Sequence, residues 1–430
     1  MRLEKEIKYD GIFWLPESPE HVVSGTLFIK NGGEIELTIN NAEFNVYFNF
    51  LIKSGNFEII NGKTNNDKLV TLLDCIYIKN KLIVANTALV GCCFSKIEDI
   101  LFDNFLISFE TSRLDTVNNY CNNTSNIFKY KKHHIDSNTE INIAYLSNSE
   151  QHAIVELINI KYFEFNFQKK LSADEFKIYI SKFINFINFF VNDPISMNCL
   201  KYKLNPINTV DIYYKIYPLI ETLSNLTWYN QLYNLNIIDD EFQKIYIKWF
   251  LIYDKIKIPL NLYFSVFYNM HRVENVEFLI LAQCLESYNR ITSNKKVFYS
   301  KEKFKDFKNA ILDSCPEIYK KIIEQRIQGA NDINFRARIE EIIEIIKKYI
   351  EFKDHDLISS IIDTRNYLTH YDIKGMKKIK DGEKLLNLCL KIKAIFQIII
   401  LIDLGFNENK INEIIDNEFN GLKHKLTLNI

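Results

Sequence analysis

Polar and apolar residues alternate along much of the first half of the chain and recur at helical spacing along the second. Glu34-Ile35-Glu36-Leu37-Thr38-Ile39 has a period of two, and Asn31-Gly32-Gly33 joins it to residues 25–30, which predicts a β-hairpin. Residues 57–60 lead into Asn61-Gly62, which reads as a second turn. Further strands are expected at 69–78, 81–85, 101–110, 141–145 and 162–167. Ser172-Ala173-Asp174-Glu175 then caps a helix that reaches about Val191.

The pattern changes near Leu204-Asn205-Pro206. Helices are expected at 210–224, 240–255 and 273–291, with a shorter one after Ser314-Cys315-Pro316 that stops near Gly329. In 333–352, Phe335, Ile339, Ile342, Ile343, Ile346 and Ile350 form one apolar stripe. Helices at 356–372 and 382–404 complete the expected bundle. The predicted class is α+β: a β-rich N-terminal domain, residues 1–208, followed by an all-α helical bundle, residues 209–430. A chain of 430 residues is long enough for two cores.

Hydrophobic residues at 47% and charged residues at 25% fit a soluble globular protein. The net charge of -1 excludes a chain that is basic throughout, so any nucleic-acid contact must use a local patch. Cysteines stand at 75, 92, 93, 121, 199, 284, 315 and 389 with no Cys-x-x-Cys pair, as in a reduced protein without a thiolate metal site. His133-His134 lack clustered ligands, and no Asp/Glu/His group has the spacing of a metal-dependent hydrolase. No cofactor and no metal are expected. The first ten residues contain no apolar signal-peptide core. The most apolar stretch, residues 394–402, is shorter than the roughly 20 residues of a membrane span. A cytoplasmic protein without a membrane partner is expected.

Candidate chemistry concentrates in Arg365-Asn366-Tyr367-Leu368-Thr369-His370. Arginine offers a planar fork of donors to a phosphate, and histidine moves protons near neutral pH. The bland alternative makes Arg365 a surface ion-pair former and His370 a satisfied residue at a helix end. On one helix Asn366 and His370 share a face, whereas Arg365 lies about 140° round from His370. Two copies meeting across a two-fold axis would bring the groups together in one cleft, so a homodimer through the C-terminal helices is expected. Glu286 shares a helical stripe with Leu279, Gln283 and Arg290; if it faces inward it must be paired, with Arg365 or Arg338 as the expected partner. Lys374, Lys377, Lys378 and Lys380 follow the hexapeptide as candidate RNA-backbone contacts.

The pattern Arg-x-x-x-x-His, late in a helical domain, resembles the HEPN superfamily of metal-independent ribonucleases. Residues 278–288, Phe-Leu-Ile-Leu-Ala-Gln-Cys-Leu-Glu-Ser-Tyr, are similar to the helix that opens this domain in one branch. Phe335-Arg336-Ala337-Arg338-Ile339 is similar to its Phe-x-x-Arg-[Ile/Leu] segment. At the other end, Gly11-Ile12-Phe13-Trp14-Leu15-Pro16-Glu17 followed by Gly25-Thr26-Leu27 resembles the start of the N-terminal domain of the ApeA family, bacterial anti-phage proteins with a C-terminal HEPN nuclease.

The resemblance implies an endoribonuclease of abortive infection that cleaves RNA through its own 2'-hydroxyl. His370 would move the proton and Arg365 would stabilise the transition state, with Asn366, Glu286, Arg338 and Tyr371 in support. RNA is the implied substrate, a phage-derived trigger the implied activating partner, and the N-terminal domain the implied sensor. A non-catalytic HEPN-fold module that binds nucleic acid or protein is the alternative.

Overall fold

The computed structural model describes residues 1–3, 5–40, 55–79, 81–109, 131–134, 139–147, 159–205, 208–216, 231–233, 240–268, 273–352, 356–371 and 379–430. It divides into two compact units, Met1–Ile247 and Lys248–Ile430.

The first unit is built on one antiparallel sheet. Its strands are β1 (Ile7–Trp14), β2 (Val23–Ile29), β3 (Ile35–Ile39), β4 (Asn56–Thr64), β5 (Leu69–Lys79) and β6 (Leu82–Val90), then β7 (Leu101–Phe109), β8 (Lys131–His134), β9 (Thr139–Ser147), β10 (Asn159–Ser172), β11 (Met197–Lys203) and β12 (Thr209–Tyr214). The order β3-β2-β1-β4-β5-β6 closes on itself, because residues 82–85 of β6 pair with β3. Residues 87–90 of the same edge pair instead with β12, and the sheet continues through β11, β7, β10, β9 and β8. One strand thus removes two free edges, which would otherwise invite pairing with other chains. The expected hairpin is β2–β3, with Gly25 opposite Ile39. At its tip Gly33 has φ 80°, and a Cβ there would collide with the Tyr214 carbonyl, so both backbone freedom and space require glycine.

Helix α1 (Ala173–Val191) is capped by Ser172, whose hydroxyl accepts from the Glu175 N–H while the Glu175 carboxylate accepts from the Ser172 N–H. Its inner face meets the sheet through aromatic rings. Phe176 stacks on Phe102 with centroids 4.0 Å apart, and Phe183 meets Phe165 edge-on at 4.7 Å.

Two expectations fail here. Asn61-Gly62 is not a turn: β4 runs straight through it, with Gly62 opposite Phe13. Asn61 is buried and satisfied, donating to the Phe94 carbonyl at 2.9 Å and accepting from the Thr71 hydroxyl at 3.0 Å. Residues 209–214 are a strand rather than the start of a helix, because Val210 and Ile212 face the core in alternation and fill the β6 edge. The remainder of that expected helix, 217–224, lies outside the described residues. Since β12 belongs to the sheet, the first unit extends past the expected boundary at 208/209.

The helices that follow are α2 (Asp240–Lys255), α3 (Lys257–Phe267), α4 (Glu274–Thr292), α5 (Lys301–Ser314), α6 (Glu317–Ile327), α7 (Phe335–Ile346), α8 (Leu357–His370), α9 (Gly382–Asp403), α10 (Glu408–Asp416) and α11 (Leu422–Thr427). Helices α3, α5, α10 and α11 were not expected. Helix α9 is long and apolar enough to cross a membrane by length and composition, but 72% of its most apolar window is buried within the unit. It packs against α4, α7, α10 and α11. The chain is therefore a β-rich N-terminal region followed by a helical C-terminal region.

Substitutions in each unit test this packing. A methyl at Gly62 would fall inside the contact distance of the fully buried Phe13 ring, so Gly62→Ala should cost about 1–3 kcal/mol and lower the urea midpoint of the N-terminal unit; an unchanged midpoint would contradict the β1–β4 register. In the helical unit, Lys393 on α9 pairs with Glu277 on α4, with side chains only 11% and 4% exposed. Lys393→Met should cost about 3–5 kcal/mol by removing the ammonium from a buried carboxylate, and adding Glu277→Leu should recover most of it in thermal melts.

Candidate active site

Helix α8 is amphipathic: Leu357, Ile361 and Ile362 are buried, with the small polar Ser360 and Thr364 on the same inner side. It ends at His370, because Tyr371 takes a left-handed conformation (φ 54°, ψ 39°) and returns its N–H to the Tyr367 carbonyl at 2.6 Å. The expected end at 372 is two residues too long. The exposed Tyr371 ring stacks on Tyr367, with centroids 5.2 Å apart.

Arg365 is half-buried. Its guanidinium carbon lies 5.2 Å from the centroid of the Phe335 ring, at the start of α7. Its Nη1 donates to Asn366 Oδ1 at 3.3 Å, and its carbonyl accepts from the Thr369 hydroxyl at 2.7 Å. Among the described residues no carboxylate pairs with Arg365. His370 is exposed on the last helical turn and has neither a hydrogen bond nor an ion pair among the described residues. Asn366 is exposed beside them. Among the described residues this helix presents neither the ion pair nor the satisfied histidine of the bland alternative.

Glu286 is buried as its stripe suggested, but its expected partner is corrected. Arg290, one turn along α4, donates to Glu286 Oε1 from both Nε (3.1 Å) and Nη2 (2.8 Å). Neither Arg365 nor Arg338 is hydrogen-bonded to it. The stripe itself is only partly internal: Gln283 and Arg290 are exposed, because Phe278, Leu281, Cys284, Leu285 and Tyr288 take the inner face. The i,i+4 spacing of Glu286 and Arg290 was the available signal for this pair.

Arg338 is 3% exposed and lies between α7 and α4, its Nη1 donating to Asn289 Oδ1 at 3.1 Å. Asn289 donates onward to Glu341 at 3.0 Å, and Ser293 donates to the same carboxylate at 2.8 Å. Burial lowers the Arg338 pKa from its usual value, and neighbouring Arg290 lowers it further while Glu286 opposes the shift. Its Nε has no hydrogen-bond partner among the described residues. This network joins α4 to α7, the helix that carries Phe335.

Lys374, Lys377 and Lys378 lie outside the described residues. Lys380 lines a cavity of about 490 Å³ near the opposite end of α8, with Asp356, Asp363, Asp381 and Lys384. Burial favours protonated Asp356, but the Lys380 ammonium (3.4 Å) and the Ser360 hydroxyl (3.2 Å) outweigh it and hold the carboxyl below its usual range. Three aspartates against two lysines make this cavity unsuited to phosphate. Among the described residues no three His, Cys, Asp or Glu side chains group as metal ligands. Burial raises the Cys92 thiol to about 12 and the Cys199 thiol to about 11, which leaves them protonated and poor nucleophiles.

Comparison with known proteins agrees with this layout. Residues 8–249 match the family described as ApeA N-terminal domain 1, more than half of the chain. Residues 279–410, which include Glu286, Phe335, Arg338, Arg365 and His370, match the Apea-like HEPN family. No curated protein and no solved structure matches the chain. With a β-rich region and a helical region each matched in the right order, the chain belongs to the ApeA family of HEPN-bearing anti-phage proteins.

Proposed function

We propose that the helical unit is a metal-independent endoribonuclease that acts in anti-phage defence by abortive infection. The observation that carries this is the state of the two side chains. Arg365 is seated on an aromatic ring with no carboxylate paired to it among the described residues, five residues before an exposed His370 that has no partner among them. An arginine held this way keeps its charge and part of its donor fork for a phosphate.

The reaction is transesterification. The 2'-oxygen attacks phosphorus, the P–O5' bond breaks, and the products are a 2',3'-cyclic phosphate and a 5'-hydroxyl. One proton leaves the 2'-hydroxyl and one must reach the departing 5'-oxygen. His370 serves one transfer and a solvent water the other. Arg365 stabilises the charge on the equatorial oxygens of the transition state, with Asn366 orienting a phosphate oxygen or the imidazole. Arg338 and the Glu286–Arg290 pair hold the scaffold, and Tyr371 ends the helix so that His370 stays at its tip. Arg365 and His370 lie on different sides of one helix, which is why the cleft is assigned to a homodimer of the HEPN domain. The N-terminal region is assigned the sensing of a phage-derived trigger.

Arg365→Ala and His370→Ala should each lower RNA cleavage by about 10²–10⁴-fold or more in EDTA, with unchanged circular dichroism and no cleavage of DNA, which lacks the nucleophile. Arg365→Lys should not restore the rate, since an ammonium lacks the fork. Cleavage that survives both alanine variants would place the active site elsewhere. No cleavage by the wild type under any activating condition, with RNA or protein binding retained, would favour a binding module instead.

Subunit mixing tests the shared cleft. Inactive Arg365→Ala and His370→Ala proteins, mixed and allowed to exchange, should regain activity by forming one intact site per mixed dimer. A strictly monomeric species in sedimentation that still cuts RNA would rule the shared site out.

A further inference from the structure

The hairpin formed by α5 and α6 presents an unusual surface. No residue of α5 is buried, and in α6 only Ile327 is. The stretch before α5, residues 295–300, is exposed throughout, yet it carries Phe298 at 41% and Tyr299 at 54% exposure; Phe307 on α5 is 47% exposed. Rings of this size ordinarily fill cores. Tyr299 and Phe307 lie side by side, with centroids 6.3 Å apart and planes 29° from parallel. The Lys295 ammonium lies 5.8 Å from the Phe298 centroid.

Lysines are interleaved with these rings. Residues 295–308 hold six lysines against Glu302 and Asp306, a strongly basic stretch in a chain of net charge -1. Lys308 is paired with Glu324 at 2.8 Å, and Lys296 donates to the Arg290 carbonyl. Lys301, Lys303 and Lys305 are exposed and carry no ion pair among the described residues. Lys303 and Phe307 are one turn apart, so a cation and a ring share one face of α5.

The position of this strip is fixed by hydrogen bonds. The Phe298 N–H donates to the Asn331 carbonyl at 2.9 Å, and the Ile333 N–H donates to the Lys296 carbonyl at 3.3 Å. The Asn331 side chain accepts from the Tyr299 N–H and donates to the Tyr299 carbonyl, both at 2.9 Å. Two residues after Ile333 comes Phe335, the ring beneath Arg365. The aromatic and basic strip is therefore moored to the segment that positions the candidate catalytic arginine.

We propose that this strip is a platform for single-stranded RNA, with phosphates on the lysines and bases stacked on Tyr299, Phe307 and Phe298, leading the strand toward Arg365. Every base has a π-face, so such stacking tolerates any sequence, and a duplex would hide those faces from the protein. Protein-docking surfaces are depleted in lysine at their centres, which favours the nucleic acid over a protein partner. That the bound strand is the substrate rests on the ribonuclease proposal; the binding itself does not.

The test is fluorescence anisotropy of the full-length protein with a labelled, unstructured 2'-O-methyl oligouridylate, which has no free 2'-hydroxyl and cannot be cleaved. Tyr299→Ala with Phe307→Ala should weaken binding about tenfold or more, and Tyr299→Phe with Phe307→Tyr should stay within about twofold of wild type. Replacing Lys301, Lys303 and Lys305 by glutamine should flatten the salt dependence by about 0.7 in log–log slope per contacting lysine. A wild type that does not bind, or a double alanine variant that binds as wild type does, overturns the inference. So does a double alanine variant that binds RNA normally but loses self-association in sedimentation, which would assign the strip to a protein interface. Weakened binding in the variants of a protein that cuts no RNA would support the platform and defeat the ribonuclease proposal. Cleavage with an unchanged KM for unstructured RNA in the double alanine variant would do the reverse.

Discussion

The helical unit is organised around a single obligation: α9 is apolar on almost every face and has to be enclosed. Fourteen of its residues are buried, so α4, α7, α10 and α11 must surround it. Its two buried lysines are tied down. Lys391 donates to the Leu426 carbonyl at 2.7 Å and anchors α11, while Lys393 meets Glu277 and sets α4 against α9. At the far end Asp403 accepts from the Tyr288 hydroxyl at 2.8 Å. Burial raises that carboxyl above its usual range, and the Tyr288 hydrogen bond only partly reverses the shift. Ring contacts from Tyr263 on α3 and Tyr288 on α4 to Phe396 on α9 complete the enclosure. Once α4 is fixed in this way, α7 and α8 are placed by packing on it.

The distribution of charge then follows from which carboxylates are already engaged. Glu286 is held by Arg290, and Glu341 is held by Asn289 and Ser293. Helix α7 presents its Phe335 ring to Arg365, whose guanidinium is offered π-density and, among the described residues, no carboxylate. A ring holds a cation without neutralising it, and leaves its N–H groups available in directions the ring does not cover. The core thus supplies rigidity while the surface keeps its charge, a combination that an Arg–Glu pair at the same position would not offer.

Much of this was legible before the structure. The alternation in 34–39, the apolar stripe of α7 and the extent of α9 follow from residue periodicity, and Arg365 and His370 were visible as a chemically capable pair. What escaped was partner choice. Glu286 reads as an inward carboxylate, and the i,i+4 spacing offers Arg290, but spacing alone does not rank that arginine above Arg338 or Arg365. Asn61-Gly62 has the composition of a turn, yet the glycine is needed for the Phe13 ring and the asparagine for two buried hydrogen bonds; both demands come from strands distant in sequence. Residues 209–214 have β-branched and aromatic residues that suit either helix or strand, and the open edge of β6 decides. Helix α5 lacks a buried stripe, so periodicity had little to detect there.

The Phe335 ring was in view as part of a motif, but its task depends on α7 and α8 meeting in space. The short connection before it has more than one structural role. Asn331 pairs by its side chain with the Tyr299 backbone, Ile333 is buried, and Asn334 caps α7 by accepting from the Ala337 N–H at 2.9 Å. Each of these contacts removes freedom from the four residues that lead to Phe335. The exposed rings at 298 and 299 and the ring under Arg365 are consequently referenced to one segment of backbone. Displacing that segment would shift both at once, so the relation between the basic strip and the arginine is a property of the local fold and does not depend on the conformation of long side chains.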